Sequence, residues 1–403
     1  MTDALDHAAE PRHRRAADPG VPPRPTDVLG APGIPPAGLT RLAVLGRSLL
    51  ARLHRGSAPP PSRILEAALG GLQPAVLAAL CHLDIPDRIT GPVPLAELAD
   101  ALDVDTDRLE RLLRFAHVHG WVRLDRRGQV RPTRCTAFLR RDHPGGWRAW
   151  AVFAAGSEVT AALGELPAAL ATTGDAFRTA NQQPFFAWMA AHPSAHARFD
   201  AAMAAGARMH GLLLAHRLDW SARRRVCDIG GGDGTLLATL TAHHRHLEGV
   251  VLELPEVVAR MPDRARVAGM VGDAFDTVPH GFDTYLLVNV VHDWDDRQAR
   301  RLLGRVAEAA RASGATAPPV QVVVVESRAR RRPVEDIALS ADTLMLALTP
   351  GGRERTVDEL AALGRAAGLR CRRWFALPSG DVAVVFATAV DQTASRPGSS
   401  ERR

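Results

Sequence analysis

The stretch Val226-Cys227-Asp228-Ile229-Gly230-Gly231-Gly232-Asp233-Gly234-Thr235 constrains this chain more than any other. An apolar run, Arg225 to Ile229, stops at a cluster of glycines, and a helical pattern starts near Thr235. Glycines in a G-x-G-x-G spacing lack Cβ atoms, so the backbone can turn sharply and a nucleotide-like ligand can approach it closely. A simple tight turn makes the same demand, so the loop alone leaves both readings open. Further strand-like runs cover Val250 to Leu254, Thr284 to Val291 and Val320 to Val325. Helical patterns occupy Asp295 to Ala312 and Thr356 to Ala367, the second opened by a T-x-x-E capping box of Thr356 and Glu359. Val382 to Ala389 adds a late strand. Alternation of this kind predicts a parallel, doubly wound α/β sheet.

In such sheets ligands bind outside the carboxyl ends of the strands, so the residues at those ends are the ones to weigh. Glu253 ends the run after the glycine loop, about twenty residues on, where a carboxylate can accept from ribose hydroxyls. Alone it reads as a solvated strand end; with Asp228, Gly230 and Gly232 it favours an adenosyl ligand over NAD. Asp273, in Gly272-Asp273-Ala274-Phe275, ends the third strand of the unit, where it can meet an adenine amino group or simply cap a helix. His292 follows an apolar strand in Val290-Val291-His292-Asp293-Trp294-Asp295-Asp296, a position that turns an ordinary histidine into a candidate for catalysis. Asp295 or Asp296 has the plainer task of capping the next helix. Glu326 ends the Val320 to Val325 run, and Glu354 sits in the loop Gly351-Gly352-Arg353-Glu354-Arg355-Thr356.

Upstream the texture differs. Residues 1 to about 38 carry eight prolines and read as a disordered tail. Leu42 to Leu53 is amphipathic, with Arg47 and Arg52 on its polar side, and suits docking on its own chain or a second subunit better than a lipid surface. From Ile64 to Leu139, short helices end in a hairpin whose turn is Arg126 to Gln129, which outlines a winged helix. An alanine-rich helical segment spans 147 to 218.

Composition excludes several chemistries. All 50 basic residues are arginines, so Schiff-base catalysis and a Walker phosphate loop, which need lysine, are ruled out. Four scattered cysteines, Cys81, Cys135, Cys227 and Cys371, fit neither a disulfide framework nor a cysteine zinc site, and no metal is expected. A net charge of +6 gives a pI near 10.1 only because arginine does not titrate, which is weak ground for nucleic-acid binding. No run of 18 uninterrupted apolar residues and no signal-peptide core occur, so the expectation is a cytoplasmic protein with no membrane partner.

Together the segments DIGGGDG at 228–234, ELPEVV at 253–258, GDAF at 272–275, VVHDWDD at 290–296 and LMLALTPGGRERT at 344–356 resemble the plant-type class I O-methyltransferases, including bacterial secondary-metabolite members. The resemblance covers roughly residues 60 to 390. It implies S-adenosyl-L-methionine as cofactor, held by Asp228, Gly230, Gly232, Glu253, Asp273, Ala274 and Phe275. It also implies His292 as general base flanked by Glu326 and Glu354, and an acceptor pocket touched by Met203, Met345 and Asp293. Its fold is a Rossmann-like catalytic domain preceded by a winged-helix-like domain that dimerises. The expected boundaries are a disordered tail at 1–40, a dimerisation domain at 41–145, a helical substrate-lining linker at 146–220, a catalytic domain at 221–390 and a second tail at 391–403. Three positions depart from the family pattern: Glu253 stands for its usual Asp, Val288 replaces a polar or basic cofactor contact, and 157–166 lacks the tryptophans common there.

The reaction so implied is a one-step displacement on a small aromatic hydroxyl. Phenol has a pKa of about 10 and histidine about 6.5, so full proton transfer to an ordinary imidazole costs on the order of 5 kcal/mol. Adjacent carboxylates reduce that cost. The competing readings are a relative that keeps the cofactor but catalyses hydroxylation or a pericyclic reaction, and a winged-helix DNA-binding regulator. The arginines of the wing carry the latter, and an all-arginine chain places such charge on any solvated face.

Overall fold

A computed structural model of the protein describes residues 22–171, 174–314 and 318–388. Ten strands organise the described residues. Three short ones, β1 (Val93–Pro94), β2 (Val122–Leu124) and β3 (Gln129–Pro132), form an antiparallel wing in the order β1-β3-β2. Helices Leu72–His82, Leu95–Leu102 and Thr106–Val118 pack beside it around Leu80, Leu98, Leu109, Leu113 and Val130. Asp105 caps the last of these by accepting from the Arg108 N–H at 2.9 Å. Pro94 ends β1, and its extended backbone (ψ 138°) leads into the helix that starts at Leu95.

The proline-rich start is more ordered than its composition suggests. Residues 22–40, assigned above to a disordered tail of 1–40, include a helix at Pro25–Leu29 and the first turn of another at Ala37–Ser57. Tertiary contacts explain the difference: Val28 is buried, and Trp147 Nε1 donates to its carbonyl at 3.1 Å. The expected tails at 1–21 and 391–403 lie outside the described residues. Among the described residues, the stretch Pro60–His82 is long and apolar enough by composition to cross a membrane. A turn at Leu69–Gly71 breaks it, and Ala78, Leu80 and Cys81 in its second half are buried in the protein.

Between Arg148 and Arg217 the described residues form a series of short helices that ends in a 25-residue helix, Pro193–Arg217. That helix lies against Thr235–His243, and the contact is close at Gly211, where a Cβ would stand 2.8 Å from the Leu236 carbonyl oxygen.

The remaining strands, β4 (Arg225–Ile229), β5 (Glu248–Glu253), β6 (Val267–Val271), β7 (Thr284–Val288), β8 (Gln321–Ser327), β9 (Leu369–Ala376) and β10 (Asp381–Thr388), build one seven-stranded sheet. Its order is β6-β5-β4-β7-β8-β10-β9. The first five are parallel, and β10 runs antiparallel to both β8 and β9. Runs such as Val322-Val323-Val324-Val325 are buried on both faces, as parallel strands sandwiched by helices must be. The helix Asp296–Ala312 covers one face with Leu302, Leu303 and Val306. The strand order reverses between β4 and β7, so a crevice opens at their carboxyl ends.

Two sequence expectations need adjusting here. The run Thr284 to Val291 is a strand only to Val288; Asn289 turns left-handed (φ 54°) and Val291–Asp293 forms a 3₁₀ turn. The strand β9 was not anticipated, since its arginine-rich sequence lacks the apolar alternation of its neighbours.

Candidate active site

The glycine loop leaves β4 with Gly230, Gly232 and Gly234 at φ 67°, 57° and 77°, angles that a side chain would resist. A Cβ on Gly231 would stand 2.5 Å from Asp228 Oδ2, whereas one on Gly232 would meet nothing within 4 Å. The loop thus sits tightly on Asp228 on one side and is open on the other. Asp228 is fully buried; burial, and then the charge of Glu253, push its carboxyl up to about 8. Its Oδ2 has no hydrogen-bond partner. Glu253 closes the far side of the loop, accepting from the Gly232 N–H at 3.1 Å and from its neighbour Leu254 N–H at 2.9 Å. Burial raises its pKa, and these two N–H groups oppose the rise.

On β6's side, Asp273 is exposed and its Oδ1 accepts from the Phe275 N–H at 2.8 Å, shaping a single turn and not a helix. Ala274 and Phe275 pack against the core, and the Phe275 ring meets Trp294 edge-on at 4.7 Å. This contact ties the Phe275 turn to the histidine loop, and a Cβ on Gly230 would stand 3.0 Å from Val290 Cγ2. Glycine loop, Phe275 turn and histidine loop therefore share one crevice.

His292 is nearly buried there. Its Nδ1 lies 2.8 Å from Glu354 Oε1 and 3.5 Å from Glu326 Oε2, and its Nε2 lies 3.6 Å from Asp293 Oδ1. Glu326 comes from β8, and its Oε1 accepts from the N–H groups of Val290 and Val291 at 3.3 and 2.8 Å. Glu354 is set by its own backbone N–H, which donates to Asp342 Oδ1 at 2.8 Å. Burial works against a charged imidazole, but Glu326, Asp293 and Glu354 outweigh it and push His292 up to about 10. Burial raises the pKa of all three acids as well. Strongly coupled groups of this kind take up protons as a unit.

Residues the sequence reasoning passed over hold this loop in place. Arg355 is fully buried; its guanidinium donates to the carbonyls of Val291 (2.9 Å) and Trp294 (2.7 Å) and to Asp296 Oδ1 (2.9 Å). The Arg353 N–H donates to the His292 carbonyl at 2.7 Å. Gly352 is glycine because a Cβ would strike Thr349 Oγ1 and the His292 carbonyl. Asp295 caps the following helix through the Gln298 N–H at 2.7 Å, as expected.

An aromatic core cluster packs beside the histidine loop. Phe177, Phe185, Phe199 and Phe153 are joined by ring contacts of 5.0 to 5.5 Å, and Phe186 links Phe185 (5.2 Å) to Trp294 (6.2 Å). Met203 packs into this cluster with Leu344 and Leu348. Met345 lies half-buried on the same helix as those leucines, Ile337–Leu348. The alanine-rich sequence of this region disguised how many rings it contributes.

Residues 164–370 match the O-methyltransferase domain, and residues 65–139 match the O-methyltransferase dimerisation domain. The chain belongs to the O-methyltransferase family. It is 33% identical over 334 residues to 2,7-dihydroxy-5-methyl-1-naphthoate 7-O-methyltransferase of Streptomyces carzinostaticus, covering 79% of this chain and 95% of that one. The mitomycin biosynthesis 6-O-methyltransferase of Streptomyces lavendulae is 30% identical over 331 residues, 75% of this chain and 87% of the relative. Among solved structures, CalO1, a methyltransferase in calicheamicin biosynthesis in its SAH-bound form, superimposes with a TM-score of 0.72 at 30% identity, covering 83% of this chain and all of that one. NcsB1 from neocarzinostatin biosynthesis, in complex with S-adenosylmethionine and 2-hydroxy-5-methyl naphthoic acid, gives a TM-score of 0.64 at 30% identity, covering 78% and 95%. This chain is an S-adenosylmethionine-dependent O-methyltransferase. The open Gly232 face, the unpaired Asp228 oxygen and the half-buried Glu253 carboxylate suit an adenosyl amino acid, which brings hydroxyl and ammonium donors to acidic partners.

Proposed function

We propose that this enzyme, a plant-type class I member working as a cytoplasmic homodimer, methylates a hydroxyl of a flat aromatic secondary metabolite, with His292 receiving the hydroxyl proton. The observation that carries this reading is His292 held at 2.8 Å by Glu354 beside the glycine loop. The printed names of the relatives, with naphthoate and mitomycin among them, agree with an aromatic acceptor. The exposed Phe186 ring and its neighbour Trp294 give such an acceptor faces to stack on.

Bound S-adenosylmethionine supplies an electrophilic methyl group. Asp228, Gly230 and Gly232 would hold its amino-acid end, Glu253 its ribose, and Asp273, Ala274 and Phe275 its adenine. Met203, Met345 and Asp293 would border the acceptor. In the chain itself, Glu354 accepts from Nδ1–H, which leaves Nε2 as the nitrogen turned to the acceptor. A His292 pushed to about 10 matches a phenol of about 10, so once rising pH has freed the imidazole, moving the phenol's proton to it costs little, against about 5 kcal/mol for an ordinary imidazole. Glu326, fixed by two backbone donors, keeps negative charge beside the imidazolium that results.

The ligating atoms of His292, Glu326 and Glu354 lie within 4.8 Å of one another, a spacing that also suits a metal ion. The direct 2.8 Å contact between Nδ1 and Glu354 favours a proton relay, because an ion would have to part them. Turnover is therefore expected to survive EDTA. The test of the base is His292→Ala, which should lower turnover on a high-pKa phenol by about 10² to 10⁴-fold while cofactor affinity by calorimetry stays within about two-fold. Full turnover in that variant would leave positioning alone as the source of catalysis.

A further inference from the structure

The helix Ala37–Ser57 is built with its faces reversed. Thr40, Val44, Ser48, Ala51 and Arg55, spaced four, four, three and four apart, are its half-buried or buried positions and pack on the protein's own body. Arg55 anchors that face by an ion pair of 2.5 Å to Glu335. The opposite face carries Leu39, Leu42, Leu45, Leu49, Leu50 and Leu53, which are 42–67% exposed. A helix ordinarily turns its leucines to the core and its small or polar residues outward. Six leucines on one exposed face mark a surface that something else covers.

The patch does not stop at Ser57. Ile64 and Leu65 are 70% and 61% exposed, and Leu69 and Leu72 are 52% and 47% exposed. Leu65 is where the dimerisation domain begins, whereas Ala37–Ser57 lies outside both matched domains. An unpartnered leucine face that runs on into a dimerisation domain is best covered by the same module of another subunit.

We infer that the helix Ala37–Ser57 is an added arm of the subunit interface, its leucine face seated on a second copy of this chain. The inference rests on the homodimer reading above and extends it to a segment the family domains do not include. Arg41, Arg47, Arg52, Arg55 and Arg63, with no acidic residue between Ala37 and Leu65, make an anionic lipid surface the rival occupant. Continuity with the dimerisation domain decides for the second copy.

The test uses the full chain, a Leu42→Glu/Leu49→Glu/Leu53→Glu variant and a milder Leu42→Ser/Leu49→Ser/Leu53→Ser variant, compared by analytical ultracentrifugation across concentration. Sedimentation with vesicles of phosphatidylcholine and phosphatidylglycerol runs alongside. The leucines face away from their own chain, so cofactor affinity serves as the control for folding. The expected result is a wild-type dimer, a dimer dissociation constant raised by about 100-fold or more in the glutamate variant and less in the serine variant, and no vesicle binding. A wild-type monomer would overturn the homodimer reading itself. Dimers of unchanged affinity in both variants would overturn only the role of this helix. Vesicle binding lost in the variants while the dimer persists would assign the face to lipid and refute the proposal.

Discussion

Replacing Glu354 by Gln separates charge from shape at His292. The side chain keeps its length and an oxygen that can accept from Nδ1, but it no longer favours the imidazolium. Glu326, Asp293 and Glu354 together carry His292 from 6.5 to about 10 while overcoming burial. Glu326 is the largest contributor to that rise, and an opposite charge in direct contact, as Glu354 is at 2.8 Å, is generally worth about one pH unit or more. One pH unit is worth about 1.4 kcal/mol, so the Glu354→Gln enzyme should hold its proton about ten-fold less tightly.

The sign follows from the raised value. A histidine with its pKa near 10 is an imidazolium through the neutral range and becomes a free base only as pH rises. Turnover on a high-pKa phenol should therefore climb with pH in the wild type, and the climb should end at least about one unit lower in the variant. The variant's plateau should be up to about ten-fold lower, since a weaker base meets the same phenol. On an acceptor already ionised at assay pH no proton needs removing, and the two enzymes should agree within about two-fold. Steady-state kinetics on the acceptor pair, with NMR titration of labelled histidine assigned through His292→Ala, measures both effects. Glu354 Oε2 is buried and unpaired, so the amide N–H₂ placed there loses about 1 to 3 kcal/mol of stability whatever the mechanism. Melting temperature is accordingly no test. Equal losses on both acceptors, or an unmoved His292 titration, would refute the reasoning.

Other perturbations probe the parts around it. Arg355→Met removes the donors to Val291, Trp294 and Asp296 and should cost roughly 2 kcal/mol of stability by leaving buried carbonyls unpaired; a unfolding curve like that of the wild type would mean the loop holds itself. The same variant should lower kcat more than cofactor affinity, because Arg355 acts on the His292 loop and not on the glycine loop. Glu253→Ala should weaken cofactor binding by roughly 2 kcal/mol, losing the Gly232 tether along with the ribose acceptor; unchanged affinity by calorimetry would put the ribose elsewhere. Burial pushes Asp381 up, yet the 2.8 Å contacts of His210 and Ser327 with its carboxylate win and hold it at about 2. This stabilises the fold by about 2 kcal/mol above pH 4, a gain lost as pH falls toward 2. Asp381→Asn should therefore be less stable than wild type in urea at pH 7, with the gap narrowing below pH 4.

Continuous apolar runs and the glycine loop made β4, β5, β7, β8 and β10 legible, because strands buried on both faces need continuous apolar sequence. Carboxyl ends of strands then located Glu253, His292 and Glu326 without any knowledge of their contacts. Their convergence with Glu354 was not legible from spacing: 62 residues separate His292 from Glu354, and only the resemblance joined them. Arg355 escaped notice for a different reason. In a chain whose 50 basic residues are all arginine, nothing in the local pattern distinguishes the buried one from its solvated neighbours Arg353 and Arg331. The order at 22–40 was hidden likewise, since it comes from Trp147, more than a hundred residues away.

The early end of β7 has a physical use that connects fold to chemistry. The apolar run invites a strand to Val291, and the Asn289 N–H does still pair with the Val325 carbonyl at 2.9 Å. The left-handed turn at Asn289 then takes the next two N–H groups out of the ladder. Buried backbone donors need partners, and here both Val290 and Val291 donate to the side chain of Glu326. A carboxylate from the neighbouring strand thus takes the place of two backbone carbonyls. Those same donors favour its ionised form against the cost of burial. Where an ordinary strand would have continued, the chain instead fixes a carboxyl group 3.5 Å from the imidazole. Strand termination, loop placement and the proton affinity of His292 are therefore consequences of one local exchange of hydrogen-bond partners.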